Sequence, residues 1–356
     1  QPKHGLPVYL TVYMSLLTLS LGALFWVIIF NLTRAGWSVV LRRVFEQVMM
    51  VLPLFIILFI PIILGQESLY KWMKESYVAT DYLVKLKQPY LNKPFFLIRA
   101  ALYFFIWVWL ARKFFSDSVK QDATGDDTLT VKSQNRATYG ILLYALSITF
   151  ASIDWVMSLT PHWYSTIFGV YIFAGAAVSS LCLVSIIVAI LQRYKLLSVI
   201  SVDHWHDMGK LIYGFVVFWS YIGFSQYFLI WYANIPEETV LYLLRNDPQW
   251  QSVTLLLAFG HFLVPFVLFM SRHMKRNKQI HVGMAVWLLI MHLVDMIWLI
   301  LPTFYKSGYT ISLGDACITV ALISSFIAYL AYQLDTAAVF PNKDPRLAES
   351  LAFENV

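Results

Sequence analysis

The chain has 356 residues, of which 59% are hydrophobic, 17% aromatic and only 13% charged, well below the roughly 25% charged share of a soluble domain. That excludes a fold with water as its main solvent. The net charge of +6 comes from basic residues dispersed among loops rather than gathered on one face, so no nucleic-acid partner is expected.

A helix needs about 20 mostly apolar residues to cross a bilayer. Segments of that kind lie at 8–33 (α1), 44–64 (α2), 95–111 (α3), 137–159 (α4), 166–191 (α5), 210–232 (α6), 251–271 (α7), 281–301 (α8) and 312–333 (α9). The runs are continuous and rich in Leu, Ile, Phe and Ala, whereas barrel strands alternate over about ten residues. The expected fold class is an all-α integral membrane protein of about nine spans. The chain opens on Gln1, and α1 is too long and too aromatic for a signal peptide, so the natural start is expected upstream. Cys182 and Cys317 both fall inside predicted spans, and no grouped Cys ligands occur; neither covalent haem nor an iron–sulfur site is expected here, and no metal.

Basic residues set the orientation. The connections after α1, α3, α5 and α7 and the C-terminal tail carry Arg34, Arg42, Arg43, Arg112, Lys113, Arg193, Lys195, Arg272, Lys275, Arg276, Lys343 and Arg346, among others. The positive-inside rule puts these loops and the C-terminus in the cytoplasm, and residue 1 on the far side. The acidic 233–250 loop then lies outside. Trp and Tyr at the helix ends read as headgroup-level anchors.

An internal echo suggests a repeat. Asp154 on α4 precedes Pro161 by the same seven residues that separate Asp295 on α8 from Pro302. Four helices lie between the copies, so both point the same way, as in two parallel four-helix bundles related by an axis along the membrane normal. The expected division is 1–161 for the first bundle with its 65–94 loop, 162–303 for the second, and 304–356 for the last helix and tail.

Ionisable groups inside a bilayer are costly, roughly 2.5–3.5 kcal/mol each at a helix centre, and point to function. His261 on α7 and His292 on α8 fall near mid-bilayer, and Asp295 follows His292 by three residues, on one helix face. A carboxylate beside an imidazole makes a proton relay; the same three residues also read as a polar clamp between α7 and α8. Arg99 and Asp154 lie at similar depth on α3 and α4 and are expected to form a structural ion pair, with Asp154 as a proton-exit group in the rival reading. Asp203, His204, His206 and Asp207 at the mouth of α6 are either a helix-capping turn or a proton collector feeding His261, His292 and Asp295.

One stretch is specific. Ser220-Tyr221-Ile222-Gly223-Phe224-Ser225-Gln226-Tyr227-Phe228-Leu229-Ile230-Trp231-Tyr232-Ala233-Asn234-Ile235-Pro236-Glu237-Glu238-Thr239 resembles the signature of the F subunit of bacterial alternative complex III. Arg34-Ala35-Gly36-Trp37 and the run through Asp154 and Trp155 add to it, and the resemblance extends from α1 to α9. It implies a place in the bacterial cytoplasmic (inner) membrane, in a quinol-oxidising complex that reduces a periplasmic acceptor such as cytochrome c. It also implies similarity to polysulfide-reductase-type membrane subunits with two four-helix bundles. The family pattern has ten spans, so a further helix is expected before Gln1.

The resemblance further implies partners: the related C component of the complex, itself a membrane protein and better placed to bind quinol, together with an iron–sulfur subunit and haem c-carrying subunits. The chain itself is then a cofactor-free, non-catalytic scaffold and proton conduit. Quinol or quinone binding by this chain is the alternative within the same complex. A proton-coupled secondary transporter is the alternative outside it, although Pro53 and Pro265 do not occupy matching places in the two bundles.

Overall fold

The computed structural model describes residues 2–306 and 308–355, and all regular structure among them is helical. Among the described residues eight helices are long and apolar enough to cross a bilayer, and a bent pair, taken as one span, brings the number to nine. The chain is thus an all-α, multi-pass membrane protein. The observed spans are α1 Pro2–Leu32, α3 Lys93–Thr124, α4 Thr128–Trp155, α5 Phe168–Arg193, α6 Val202–Ala233, α7 Pro248–Met270, α8 Lys278–Ile300 and α9 Leu313–Asp335, with α2 formed by Val39–Leu58 and Ile60–Leu69.

Two helices differ from the expected straight spans, each because of proline. The segments of α2 meet at 58°. Pro61 has no N–H for the carbonyl four residues back and its ring crowds that turn. Beside the bend the Tyr9 hydroxyl donates to Leu58 O at 2.7 Å and the Tyr13 hydroxyl to Phe55 O at 3.1 Å. α2 also begins earlier than expected. Arg42 and Arg43, placed in a loop by the sequence, lie buried inside it, and Glu46, Asp122 and Asp344 neutralise them at 2.6–3.2 Å. In α7 the interruption is a π-helical segment, Leu257–Leu263. Pro265 cannot donate to Gly260 O, and Trp287 Nε1 on α8 supplies the missing donor at 2.7 Å.

Helices α1–α4 contact one another in a ring, as do α5–α8, while α9 packs on α1 and α2. The rings join along α1 and α5. The apolar window of α1 is 94% buried, against 22% for α9, as expected of a helix apolar on every face. Small residues permit the close approach: a Cβ on Gly22 would lie 1.9 Å from Ala176 O. Trp26 Nε1 reaches across to Ala177 O at 3.0 Å. The tail folds back over one end of both rings. Asp344 meets Arg42, Ser350 Oγ donates to Trp37 O, and Asn355 reaches His206 and Asp207.

Candidate functional site

In the first bundle the expected ion pair is present and closed. Arg99 Nε and Nη2 donate to Asp154 Oδ2 and Oδ1 at 2.7 and 2.9 Å, and the Tyr103 hydroxyl adds a third bond to Oδ2 at 2.8 Å. The remaining Arg99 terminal nitrogen donates to Tyr90 O, and the guanidinium lies over the Tyr90 and Phe95 rings at 3.9 and 4.3 Å. A bidentate pair with its other donors also satisfied is the form in which buried opposite charges are tolerated.

The second bundle treats its carboxylate differently. Asp295, with no exposure, accepts from the Tyr171 hydroxyl on α5 at 2.5 Å and from Trp219 Nε1 on α6 at 3.3 Å. Both donors are neutral, and no ion pair forms at Asp295 among the described residues. The expected His292–Asp295 contact is replaced: His292 turns away to Thr18 on α1, Nε2 to Oγ1 at 2.8 Å. The Thr18 hydroxyl proton is directed at Met14 O and Ser15 O, 2.8 and 2.9 Å away. The hydroxyl therefore accepts from His292, which assigns the proton to Nε2 and leaves Nδ1 a bare acceptor.

His261 sits in the π-helical segment of α7, stacked on Trp219 with ring centroids 3.9 Å apart and planes at 16°. Neither of its ring nitrogens, nor His292 Nδ1, has a partner among the described residues. Such π segments recur at functional sites. Gly175 on α5 faces the same place: a Cβ there would lie 3.6 Å from His292 Nδ1 and 3.8 Å from Trp219 Cδ1. The clamp reading needs correction too, since these residues bind α8 to α1, α5 and α6, and His261 holds α7 by stacking alone.

A seam of buried hydroxyls runs from this cluster towards the tail end, with Thr18 on α1 and Ser179, Ser180 and Ser185 on α5. It ends at His281, which the sequence reading missed. His281 Nε2 lies 3.1 Å from Ser185 Oγ, and Nδ1 lies 3.3 Å from Lys275 O. Lys275 O can only accept, so Nδ1 carries the proton and Nε2 accepts from the Ser185 hydroxyl, which also lies 2.8 Å from Leu181 O. A signal was available: His281 precedes His292 by eleven residues, three turns along one helix face.

The turn at 203–207 is a helix cap, not a free collector. His204 Nδ1 closes a capping box with Ser201, Asp203 pairs with Arg276 at 2.6 Å, and Asp207 pairs with Lys210 at 2.5 Å. His204 is buried against Phe353, and His206 Nδ1 meets Asn355 of the tail at 3.1 Å. Trp205, between them, lies edge-on to His281 at 4.9 Å.

Among the described residues no three His, Cys, Asp or Glu side chains converge as a metal site would require. A cleft of about 380 Å³ opens at the opposite end of the first bundle, between 86–91 and 153–164, with Lys87, Tyr90 and Trp163 in its wall. Among the described residues its lining contains no carboxylate or imidazole. Compared with known proteins, the chain matches no family model and no curated protein.

Proposed function

We propose that the chain is a cofactor-free membrane subunit of a quinol-oxidising respiratory complex of the alternative complex III type, acting as scaffold and as a proton half-channel that ends at Asp295. Partner subunits carry the quinol site, the iron–sulfur clusters and haem c, and the tail faces the cytoplasm. The observation that carries the conduit is the environment of Asp295: a buried carboxyl held by two neutral donors beside three unpartnered ring nitrogens can take up and give back a proton without breaking an ion pair. The route runs from His281 and Ser185 along the hydroxyl seam to Thr18 and His292, and on to Asp295. The 220–239 signature supports the choice of complex. The interruptions in α2 and α7 fall on helices that are not counterparts in the two bundles, which weighs against a transporter built on paired broken helices.

The test uses the intact complex in sealed vesicles, with quinol oxidation and proton release followed together in wild type and Asp295→Asn. Loss of release with electron transfer retained is the expected outcome. Release that continues unchanged would make the cluster structural glue.

A further inference from the structure

We propose that Arg245 is an electrostatic barrier on the release side of Asp295, a fixed positive charge one helical turn beyond the carboxyl that opposes return of a departed proton. This rests on the relay reading above and deepens it by placing the exit.

Arg245 lies in the connection between the short helix Pro236–Leu243 and α7 and is 2% exposed. Its Nε and Nη2 donate to Trp298 O and Leu299 O at 2.9 and 2.8 Å, its Nη1 donates to Leu241 O at 2.5 Å, and its plane covers the Trp298 ring at 4.5 Å. Trp298 and Leu299 follow Asp295 by three and four residues, so the guanidinium sits on the same face of α8, towards its C-terminal end. The carbonyls exposed there favour a cation. Every acceptor that Arg245 uses is a neutral main-chain oxygen, and among the described residues it forms no ion pair. Burial pushes it down to about 10, so it stays charged at neutral pH.

The groups facing Asp295 from each packed element are Tyr171 on α5, Trp219 on α6 with His261 of α7 behind it, and Arg245 with Tyr242 from the 236–247 segment; His292, one turn back on its own helix, turns to Thr18. Arg245 is the fixed cation of that set. Beyond it a polar ladder leads outward: the Tyr242 hydroxyl accepts from Gln226 Nε2 at 3.2 Å, and Gln226 Oε1 accepts from Ser165 Oγ at 2.9 Å. An arginine set across a polar passage repels protons moving through it.

The experiment follows the infrared band of the protonated Asp295 carboxyl, assigned by its loss in Asp295→Asn, against pH in the complex in lipid. Arg245→Gln should raise the band's midpoint by about one to two pH units, the effect of a unit charge roughly 6–12 Å away at an effective dielectric of about 20. It should also raise passive proton leak into unenergised vesicles several-fold. Arg245→Lys, which keeps the charge, should leave both near wild type. If Arg245→Gln does not fold, Arg245→Met makes the same charge change without burying an unpaired donor. A midpoint unmoved by the neutral variants, or moved equally by Lys, overturns the barrier. Proton release that survives Asp295→Asn overturns the relay instead, and the band midpoint still reads the Arg245 coupling separately.

Discussion

Asp154 and Asp295 are equivalent by sequence, each seven residues before a proline near the end of the fourth helix of its ring, and both are completely buried. Their surroundings are opposite. Asp154 is gripped by Arg99, which stands on a neighbouring spanning helix within bidentate reach. Asp295 has an arginine nearby as well, but Arg245 comes from a connection and spends its donors on carbonyls of Leu241, Trp298 and Leu299. What an intramembrane carboxylate can do is set by where its cation is anchored. A closed pair is a rivet; a carboxyl held by neutral hydroxyl and indole groups is free to change charge.

The largest expected effect breaks the rivet. Arg99→Leu strands a buried carboxylate and should lower stability by about 3–5 kcal/mol, whereas Arg99→Leu with Asp154→Leu should recover most of that loss. Asp295→Asn keeps one of its two hydrogen bonds and should cost about 1 kcal/mol. Thermal unfolding in detergent, monitored by helix content, compares the three. A larger loss for Asp295→Asn than for Arg99→Leu would erase the distinction between the bundles.

The Arg99–Asp154 pair could be anticipated because two opposite charges at equal depth on adjacent helices have few other ways to lower their burial cost. The nine apolar segments were legible for the same reason: the bilayer demands length and composition. Geometry made by the absence of one N–H was harder to see. Pro61 and Pro265 are visible as letters, yet whether a proline kinks a helix or opens a π turn depends on the side chains packed beside it, Tyr9 and Tyr13 at the bend of α2 and Trp287 at Gly260 O of α7. For Asp203, His204, His206 and Asp207 the sequence left a capping turn and a collector both open, because it does not show the tail that covers them. Nothing in the sequence around Arg245 announces the helix end it caps.

The tail gives a second contrast, because among the described residues its ion pair to the bundles, Asp344 with Arg42, is made on the first. Burial alone would push the Asp344 carboxyl up, but the Arg42 guanidinium and the Arg346 N–H outweigh that and hold it below the usual carboxylate range. A depressed carboxyl contributes stability above its unfolded value, about 3.9, and loses it as pH falls through the lower folded value. The tail should therefore stay docked at neutral pH and loosen below about pH 4. Asp344→Asn should reproduce that loosening at pH 7, seen as several-fold faster cleavage of the tail by an added protease with the spans intact. Equal cleavage of wild type and variant at pH 7 would show that Ser350 and Asn355 hold the tail without the ion pair.

The smallest effect on stability should be at Gly175, and it isolates the second bundle's special feature. The added methyl of Gly175→Ala would meet His292 and Trp219 at 3.6–3.8 Å, ordinary contact distances, and alanine is favoured over glycine inside a helix by roughly 0.5–1 kcal/mol. Unfolding should therefore change little or shift slightly upward. Proton release is expected to behave differently: His292 Nδ1 has no partner among the described residues, and the methyl would occupy the space beside it, so release should slow several-fold while quinol oxidation continues. If release is unaffected, the proton does not pass through Nδ1, and the route from the hydroxyl seam must reach Asp295 through Thr18 and Tyr171 instead.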